Sequence, residues 1–312
     1  MPQGIDVSII IPAYNEASRL LAGFERLRPV LEAIGPERLE VVVVDDGSSD
    51  DTMHRAHAVY GHLANSQFVQ QPVNRGKGAS IRLGIAAARG DLLITADADM
   101  AIDPHHFPAI IEALANSDIV PGSRAERGHI RYDSIIRTYA GAAFNLVVRH
   151  YTRTTLRDTQ CGCKGFRRGP ARLLALLGMV DRFAFDAEML YLAQRLALRV
   201  DPLHVGWDDV EGSSVRVGHD SLEMLRDIRG LSRTRYENPV VVLPADIDVA
   251  AVVGPAREAR LSGLVIARGR EDALLVLPRD GSLGGLGVAS ALGAALRTAR
   301  IEELEERSYE AV

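Results

Sequence analysis

The stretch Gly90-Asp-Leu-Leu-Ile-Thr-Ala-Asp-Ala-Asp99 joins a short apolar run to two carboxylates that are one residue apart. Its run Asp91–Thr95 has the length of a strand that is buried on both faces of a sheet. Asp97 and Asp99 follow this strand directly, and ligands of parallel sheets bind beyond the carboxyl ends of the strands. Two carboxylates at this spacing can share a hard divalent cation that neutralises a diphosphate, but Asp pairs also occur in ordinary turns.

Apolar runs and helix-length segments alternate on both sides of this stretch. We predict five strands, Val7–Ile11, Leu39–Val44, Gln67–Gln70, Asp91–Thr95 and Asp118–Pro121. Between them the pattern predicts four helices, with Ser as the N-cap of the first two and Pro in the first turn of the last. These helices are Ser18–Ile34, Ser49–Leu63, Lys77–Ala88 and Pro104–Ala115. The alternation predicts an α/β fold with a mostly parallel central sheet.

The second half of the chain begins with a basic segment. Arg124–Arg172 carries eleven Lys and Arg residues against three acidic residues. Within it, Ser134–Tyr151 has the pattern of an amphipathic helix, which fits either a membrane surface or a core-packed helix with a solvated basic face. Two more helices are predicted at Asp186–Leu198 and Ser221–Leu231.

From about Tyr236 onward, prolines separate short apolar runs at Val240–Leu243, Leu264–Ala267 and Leu274–Leu277. We therefore predict two domains, residues 1–236 and a small α/β C-terminal appendage at residues 237–312. The glycine-rich stretch Gly281–Gly287 lacks the G-x-G-x-x-G spacing of a dinucleotide site.

The composition excludes several classes of protein. The 312 residues carry 36 Lys and Arg against 41 Asp and Glu, a formal charge of −5, so binding to nucleic acid through overall charge is not expected. Cys161 and Cys163 are too few for a disulfide framework or a structural zinc site. There is no signal-peptide pattern and no apolar stretch near the roughly 18–20 residues of a spanning helix. We expect a cytoplasmic protein whose contact with a membrane is at most peripheral.

Acidic and aromatic side chains also follow the first two predicted strands. The first strand leads into Pro12–Glu16 (PAYNE) and the second into Asp45–Ser49 (DDGSS). A nucleotide fits the sheet edge that these residues share with the Asp pair, since Tyr14 can pack on the base. Glu16 and Asp46 can accept hydrogen bonds from ribose hydroxyls or base N–H groups. The alternative for Asp46 is to cap the helix that follows it.

The segment Asn74–Gly78 (NRGKG) opens the third predicted helix. Its backbone N–H groups and the side chain of Lys77 can hold phosphate at a helix N-terminus. It is not a P-loop, because Gln71 stands where the first Gly belongs and Gly78 replaces the Ser or Thr after the Lys. Neither NTP hydrolysis nor NAD chemistry therefore has support in the sequence.

Taken in order, these motifs resemble those of family 2 glycosyltransferases with a GT-A fold. The polyprenyl-phosphate branch is most similar, above all the dolichyl-phosphate β-glucosyltransferases and more distantly the dolichyl-phosphate mannose synthases. The ordered set is more specific than any one motif and covers about three quarters of the chain. The matching segments are Pro12–Glu16, Val44–Ser49, Asn74–Gly78, Asp97–Asp99, Gly122–Arg124, Asp158–Lys164, Phe185–Leu190 and Trp207–Ser213. The resemblance implies a Rossmann-like sheet flanked by helices.

The resemblance also implies a role for the matching residues, with Asp97, Asp99 and Asp186 as the catalytic set. Those implied to bind the nucleotide-sugar are Pro12, Tyr14, Glu16, Asp46, Lys77 and Asp97. Asp97 and Asp99 would hold Mg²⁺ or Mn²⁺. Those implied for the acceptor and the sugar are Arg124, Arg137, Asp158 and Gln160. Asp186 and Glu188 stand where relatives with hydroxyl acceptors place a general base, although a helix cap or a surface charge is the alternative for each carboxylate.

The implied reaction is an inverting displacement that moves glucose from UDP-glucose to a polyprenyl or dolichyl phosphate. A lipid phosphate is already anionic at neutral pH, so arginines that position it matter more than a base. The alternative acceptor is a soluble hydroxyl, which Asp186 or Glu188 would deprotonate. Departures from the pattern keep that alternative open. Cys163 replaces an aromatic residue, and Ser214 replaces a Lys that follows Gly-Ser. The sequence has no apolar stretch like the transmembrane helices of many relatives, and its C-terminal portion is unmatched.

Two other classes of function share parts of this pattern. A nucleotidyltransferase combines an α/β sheet with paired carboxylates and Mg²⁺, but it needs a basic glycine-rich N-terminal loop that this sequence lacks. A nucleotide-sugar-binding module without catalysis would keep the binding residues and lose turnover. Tyr14 and Asp46 suit uridine or guanosine, so the residues by themselves leave the base open.

Overall fold

The computed structural model describes residues 5–124, 146–152, 154–178, 180–195, 198–206, 224 and 226–229, together with three strands near the C-terminus. The first seven strands are β1 (Val7–Ala13), β2 (Leu39–Asp45), β3 (Ser66–Gln70), β4 (Leu92–Thr95), β5 (Ile119–Ser123), β6 (Lys164–Arg167) and β7 (Leu203–His204). The helices are α1 (Leu20–Ile34), α2 (Thr52–Tyr60), α3 (Lys77–Ala87), α4 (Phe107–Ala113), α5 (Arg168–Leu177) and α6 (Phe185–Arg195). A short 3₁₀ helix at Pro104–His106 precedes α4, and residues 146–152 and 226–229 are also helical.

The seven strands form one sheet in the order β3-β2-β1-β4-β6-β5-β7. β1 pairs in parallel with β2 and β4, and β2 pairs in parallel with β3. β6 runs antiparallel to both of its neighbours, β4 and β5. A mostly parallel sheet with helices on both faces confirms the predicted α/β class. In the ranges described, no helix is long and apolar enough to cross a bilayer.

A second sheet contains β8 (Val240–Leu243), β9 (Val265–Arg268) and β10 (Asp272–Val276). β8 and β9 are parallel, and β9 and β10 are antiparallel. The three apolar runs predicted in this region are therefore confirmed as strands. The stretch Gly281–Gly287 and most of residues 237–312 lie outside the described residues, so the division into two domains stays a prediction.

The strands and helices predicted before Asp118 are confirmed to within three residues at each end. The predicted N-caps are wrong, because Arg19 and Asp51 stand at the N-cap positions of α1 and α2 and neither caps with its side chain. The hydroxyl of Ser49 donates to Asn15 Oδ1 at 3.3 Å, and α2 begins three residues later, at Thr52. The strands β6 and β7 and the helix α5 were not predicted. The helix predicted at Ser134–Tyr151 is described only for residues 146–152.

The core lies on both faces of the sheet because side chains alternate along each strand. In β1, Ile10 packs in the layer of Ile81 and Ile85 from α3. Ile9 and Ile11 belong to the opposite layer, which α1, α2 and α4 cover. Both faces of the central strands are thereby closed to solvent. Polar chemistry is left to the strand ends, and this places the site in the loops after β1, β2 and β4.

Glu40 fixes the opposite end of β2 from inside the sheet, where its side chain is fully buried. It accepts hydrogen bonds from Ser8 Oγ and Gln67 Nε2, both at 2.6 Å, and from the backbone N and Nε of Arg89 at 2.9 and 2.6 Å. Burial by itself would raise the pKa of Glu40, but these hydrogen bonds outweigh it and hold the pKa below its ordinary value. An ionised Glu40 thus ties β1, β2, β3 and the connection before β4 together.

We expect Glu40→Gln to lower the free energy of unfolding at neutral pH by about 3 kcal/mol, because the amide does not satisfy four donors. A lowered folded-state pKa stabilises the protein above the ordinary value of 4.5 and loses that contribution as the pH falls through the folded value. The difference in the free energy of unfolding between wild type and Glu40→Gln should therefore become smaller as the pH is lowered. Urea unfolding at neutral and acidic pH measures it, with the exposed Glu32→Gln as control. If Glu40→Gln and Glu32→Gln lost the same free energy of unfolding, the role of Glu40 in tying the strands together would be contradicted.

Candidate active site

The loops after β1 and β2 hold each other at the carboxyl edge of the sheet. Asn15, at a φ of 55°, accepts the N–H of Ser49 on Oδ1 and donates its own N–H to Ser48 Oγ, both at 2.9 Å. The N–H of Glu16 donates to Thr52 Oγ1 at 2.8 Å. Much of the first two motifs therefore serves to fix the backbone that carries the nucleotide-binding candidates.

Asp46 is buried and anchors the loop that precedes α3. Its Oδ1 accepts Gln71 Nε2 at 2.7 Å and the N–H of Arg75 at 2.9 Å, and its Oδ2 accepts the N–H of Gly76 at 2.8 Å. The alternative role for Asp46 as a helix cap is therefore wrong. The same bonds use two of the backbone N–H groups that the sequence offered to phosphate, and the side chain of Lys77 points instead to Asp97.

Tyr14 and Pro12 lie at the end of β1. The ring of Tyr14 is 42% exposed, and Pro12 is half-buried. An exposed aromatic ring beside a polar edge is able to stack on a base. The structure leaves both residues accessible, and their contact with a nucleoside stays a prediction.

Asp97 and Lys77 form an ion pair between two motifs, with Lys77 Nζ 2.6 Å from Asp97 Oδ1. Burial by itself would raise the pKa of Asp97, but the Lys77 ammonium outweighs it and holds the pKa below its ordinary value. Gly162 lies against this pair, since a Cβ there would overlap Asp97 Oδ2 and lie 2.9 Å from Lys77 Nζ. Three separate motifs therefore meet at Asp97.

Two carboxylates, those of Glu16 and Asp99, lie against Arg19. Its guanidinium lies 2.5 Å from Glu16 Oε1 and 3.4 Å from Asp99 Oδ2, and Asp99 Oδ1 accepts the N–H of Ala101 at 3.1 Å. Burial raises the pKa of Glu16 to about 7; Arg19 opposes the shift, and Asp99 and Asp97 add to it. Burial and the charge of Asp97 also raise the pKa of Asp99. Glu16 Oε2 is buried and has no hydrogen-bond partner among the described residues.

This crowding of negative charge is the physical reason that the edge suits a cation. Mg²⁺ and Mn²⁺ prefer oxygen ligands, and Mg²⁺ is commonly held by one or two carboxylates plus substrate phosphates. Within the described ranges, no three His, Cys, Asp or Glu side chains form a complete metal site. Asp97 and Asp99 therefore fit an ion that takes further ligands from a diphosphate.

Arg124 and Asp158 form a second ion pair across two motifs. Arg124 donates its backbone N and Nε to Asp158 Oδ2 at 3.0 and 2.7 Å and its terminal nitrogen to Oδ1 at 3.0 Å. The N–H of Gln160 donates to the same carboxylate at 3.1 Å. Burial opposes ionisation of Asp158, but Arg124 holds its pKa below the ordinary value. Arg137 lies outside the described residues.

Lys164 and Asp186 form a third ion pair, inside the protein. Lys164 Nζ lies 2.5 Å from Asp186 Oδ1 and also donates to the carbonyl oxygen of Cys161. Lys164 is 1% exposed and Asp186 is 5% exposed. Glu188 is fully buried, and its Oε2 accepts the N–H of Val180 at 2.9 Å. Both candidates for a general base are therefore engaged within the fold.

Comparison with known proteins decides the family. The sequence matches the profile of "Glycosyl transferase family 2" over residues 8–174, which is more than half of the chain. The chain belongs to glycosyl transferase family 2. Its relatives include the dolichyl-phosphate beta-glucosyltransferase of Drosophila melanogaster, 37% identical over 239 residues, or 72% of this chain and 73% of the relative. The enzyme of the same name from Homo sapiens is 34% identical over 249 residues, or 74% of this chain and 75% of the relative.

Solved structures agree on the fold of this glycosyltransferase. Glucosyl-3-phosphoglycerate synthase of Mycobacterium tuberculosis aligns with a TM-score of 0.55 at 21% identity, over 73% of this chain and 81% of that one. A complex of the same enzyme with Mn²⁺ and UDP-glucose aligns with a TM-score of 0.54 at 20% identity, over 88% and 90% of the two chains. The GT-A fold implied by the motifs is thereby confirmed.

Three residues of this site were missed by the sequence analysis. Arg19 has a local signal, because it follows Glu16 by three residues on the way into α1. Lys164 and Gly162 lie inside a matched motif but were given no role. Lys164 contacts Asp186, which is 22 residues further along the chain, and Gly162 lies against Asp97, which is far earlier in the chain. Spacing along the sequence does not reveal such contacts.

We expect Lys164→Met and Asp186→Asn each to lower the free energy of unfolding by about 3–5 kcal/mol, because each leaves a buried charge without its partner. The double variant should lose clearly less than the two single losses combined, with a coupling of roughly 1–3 kcal/mol. Chemical unfolding of the four proteins measures this.

The exposed pair of Arg38 and Asp6 serves as the control for that cycle. An exposed pair should show a coupling below about 1 kcal/mol. If the loss of unfolding free energy in the double variant equalled the sum of the losses in Lys164→Met and Asp186→Asn, the interaction between the two residues would be contradicted.

Proposed function

We propose that this family 2 glycosyltransferase moves glucose, with inversion, from UDP-glucose to a polyprenyl phosphate such as dolichyl phosphate. Relatives from fly and human carry the name dolichyl-phosphate beta-glucosyltransferase. A solved protein of the same fold binds Mn²⁺ and UDP-glucose. These likenesses support the donor and the acceptor, and the charge pairing within the site supports the acceptor independently.

The observation that carries the proposal is the engagement of both candidate bases. Asp186 is paired with buried Lys164, and Glu188 accepts a backbone N–H in the interior. A hydroxyl acceptor needs a base within hydrogen-bond reach in order to lose its proton. A phosphate monoester is already anionic at neutral pH and attacks without such a base. A phosphate acceptor therefore suits this arrangement better than a hydroxyl.

On the donor side, Asp97 and Asp99 would hold Mg²⁺ or Mn²⁺ against the diphosphate. The ion offsets the negative charge that grows on the leaving nucleoside diphosphate. Lys77 pairs with Asp97 and holds its pKa below the ordinary value, and its ammonium would add positive charge beside the diphosphate. Tyr14 offers its exposed ring to the base, while Asp46 contributes by holding the loop of Lys77 in place.

On the acceptor side, Arg124 follows β5 with its guanidinium fixed by Asp158. A guanidinium whose orientation is fixed binds phosphate with little further loss of entropy. The reaction would take place at the cytoplasmic face of a membrane, because the polyprenyl chain stays in the bilayer while the nucleotide-sugar is dissolved.

We expect the purified chain to form a β-linked glucosyl lipid from UDP-glucose and polyprenyl phosphate in detergent micelles, in the presence of Mn²⁺ and not of EDTA. Mass spectrometry and the anomeric coupling in proton NMR identify the product. GDP-mannose serves as the competing donor, soluble glycosides as competing acceptors and Asp99→Ala as the inactive control.

Transfer only to a soluble hydroxyl would contradict the proposed phosphate acceptor. Binding of UDP-glucose without transfer would favour a non-catalytic module, and release of pyrophosphate from an NTP and a sugar phosphate would favour a nucleotidyltransferase.

We expect Gly162→Ala to lower transfer by about 100-fold, because its methyl group displaces the Asp97 carboxylate and Lys77 Nζ from their pairing. The fold should tolerate the change, since the atoms that must move are the ends of two side chains. Gly206→Ala is the matched control, because within the described part of the chain a Cβ there meets only His106 Nε2, at 3.6 Å. Initial rates and melting temperatures measure both variants. Full activity in Gly162→Ala would contradict the placement of this glycine.

A further inference from the structure

Arg19 connects two carboxylates of different motifs at the donor edge. Its side chain is 19% exposed, and it lies 2.5 Å from Glu16 Oε1 and 3.4 Å from Asp99 Oδ2. The residue stands at the N-cap position of α1, where its side chain makes no capping bond. The guanidinium therefore contributes to the site and not to the start of the helix.

The first turn of α1 is packed against the loop of the two aspartates. The N–H of Gly23 donates to the carbonyl oxygen of Arg19 at 3.0 Å. A Cβ at Gly23 would overlap the carbonyl oxygen of Ala98. Only a glycine allows this approach, so the backbone of Arg19 has a fixed position relative to the loop. Its guanidinium is thereby held beside Asp99.

Arg19 and the backbone together fix the carboxylate of Asp99. The Oδ1 atom accepts the N–H of Ala101 at 3.1 Å, and the Oδ2 atom faces Arg19. Glu16 has one oxygen on the same guanidinium and the other buried without a partner in the described part of the chain. Without the guanidinium, Asp99 Oδ2 and Glu16 Oε1 would both lose this partner, and the carboxylate of Asp99 would turn more freely about its side-chain bonds.

We propose that Arg19 is a positioning residue that holds the Asp99 carboxylate in the orientation for a divalent ion and keeps Glu16 from competing for that ion. The inference rests on the proposed metal-dependent donor site. It differs from a purely structural role for Arg19, which would change folding stability and leave metal affinity intact. It differs also from competition between Arg19 and the ion for Asp99, which would make the variant bind the ion more tightly.

The test measures binding of Mn²⁺ in the presence of UDP, from the electron paramagnetic resonance signal of free Mn²⁺ and by calorimetry. Arg19→Met should raise the Kd for Mn²⁺ by about 10- to 100-fold, the usual effect of losing a group that orients a metal ligand. The Kd of Arg19→Lys for Mn²⁺ should lie between those of wild type and Arg19→Met, because one ammonium does not bridge two carboxylates. Glu16→Gln in the Arg19→Met background should recover part of the affinity, because an amide competes less for the ion than a carboxylate that has lost Arg19.

The matched control is Arg28→Met, which removes an arginine that also follows a glutamate by three residues on α1 but lies at the surface. Its Kd for Mn²⁺ should stay within about twofold of wild type, since exposed pairs contribute little. In transfer assays, the Mn²⁺ concentration for half-maximal rate should rise in Arg19→Met while the rate at saturating Mn²⁺ changes little. Melting temperatures check that each variant is folded.

The outcomes separate this inference from the proposed function. If wild type binds Mn²⁺ with UDP and Arg19→Met binds it equally or more tightly, the positioning role is overturned and the donor site stands. If wild type binds no Mn²⁺ with UDP, the proposed donor site fails, and the role of Arg19 fails with it. A weaker Kd in Arg19→Met together with an unchanged Kd in Arg28→Met supports the role.

Discussion

Ion pairs between separate motifs hold the carboxylates of this site, and the arrangement of the loops depends on them. The pairs are Lys77 with Asp97, Arg19 with Asp99, Arg124 with Asp158 and Lys164 with Asp186. Asp158 and Asp186 are buried, and a buried carboxylate without a cation costs several kcal/mol, so neither member of these two pairs is dispensable alone. Short motifs far apart in the chain must therefore occur together. This mutual dependence explains why the ordered set of motifs is so much more specific than any single motif.

The fold was predictable where its physics is local. Strands buried on both faces are continuous apolar runs, and Leu39–Asp45 is fully buried along its length. The strand Lys164–Arg167 has no such run, because it carries a lysine that is buried only by virtue of its pairing with Asp186. The helix starts were missed for a related reason. Ser49 is a good N-cap residue in isolation, but its hydroxyl donates to Asn15 in another loop.

The site was predictable in its residue types and not in its pairings. The motifs located the acidic edge, yet Asp46 was assigned either to a nucleoside or to a helix cap, and it binds the loop before α3. The segment Asn74–Gly78 looked like a phosphate cradle, although part of its backbone faces that carboxylate. A sequence lists donors and acceptors, and only the fold decides which of them satisfy one another.

The pairing of Lys164 with Asp186 bears on the acceptor through a comparison of energies. A well-placed general base accelerates a reaction by about 10²–10⁴-fold, or roughly 3–5 kcal/mol. For Asp186 to act as that base, it would have to leave Lys164, and breaking a buried pair costs about 3–5 kcal/mol. The two terms nearly cancel, so a hydroxyl acceptor would gain little from this carboxylate. A phosphate acceptor requires no such exchange, and the pair is then free to serve as a fixed support beside Asp97 and Lys77.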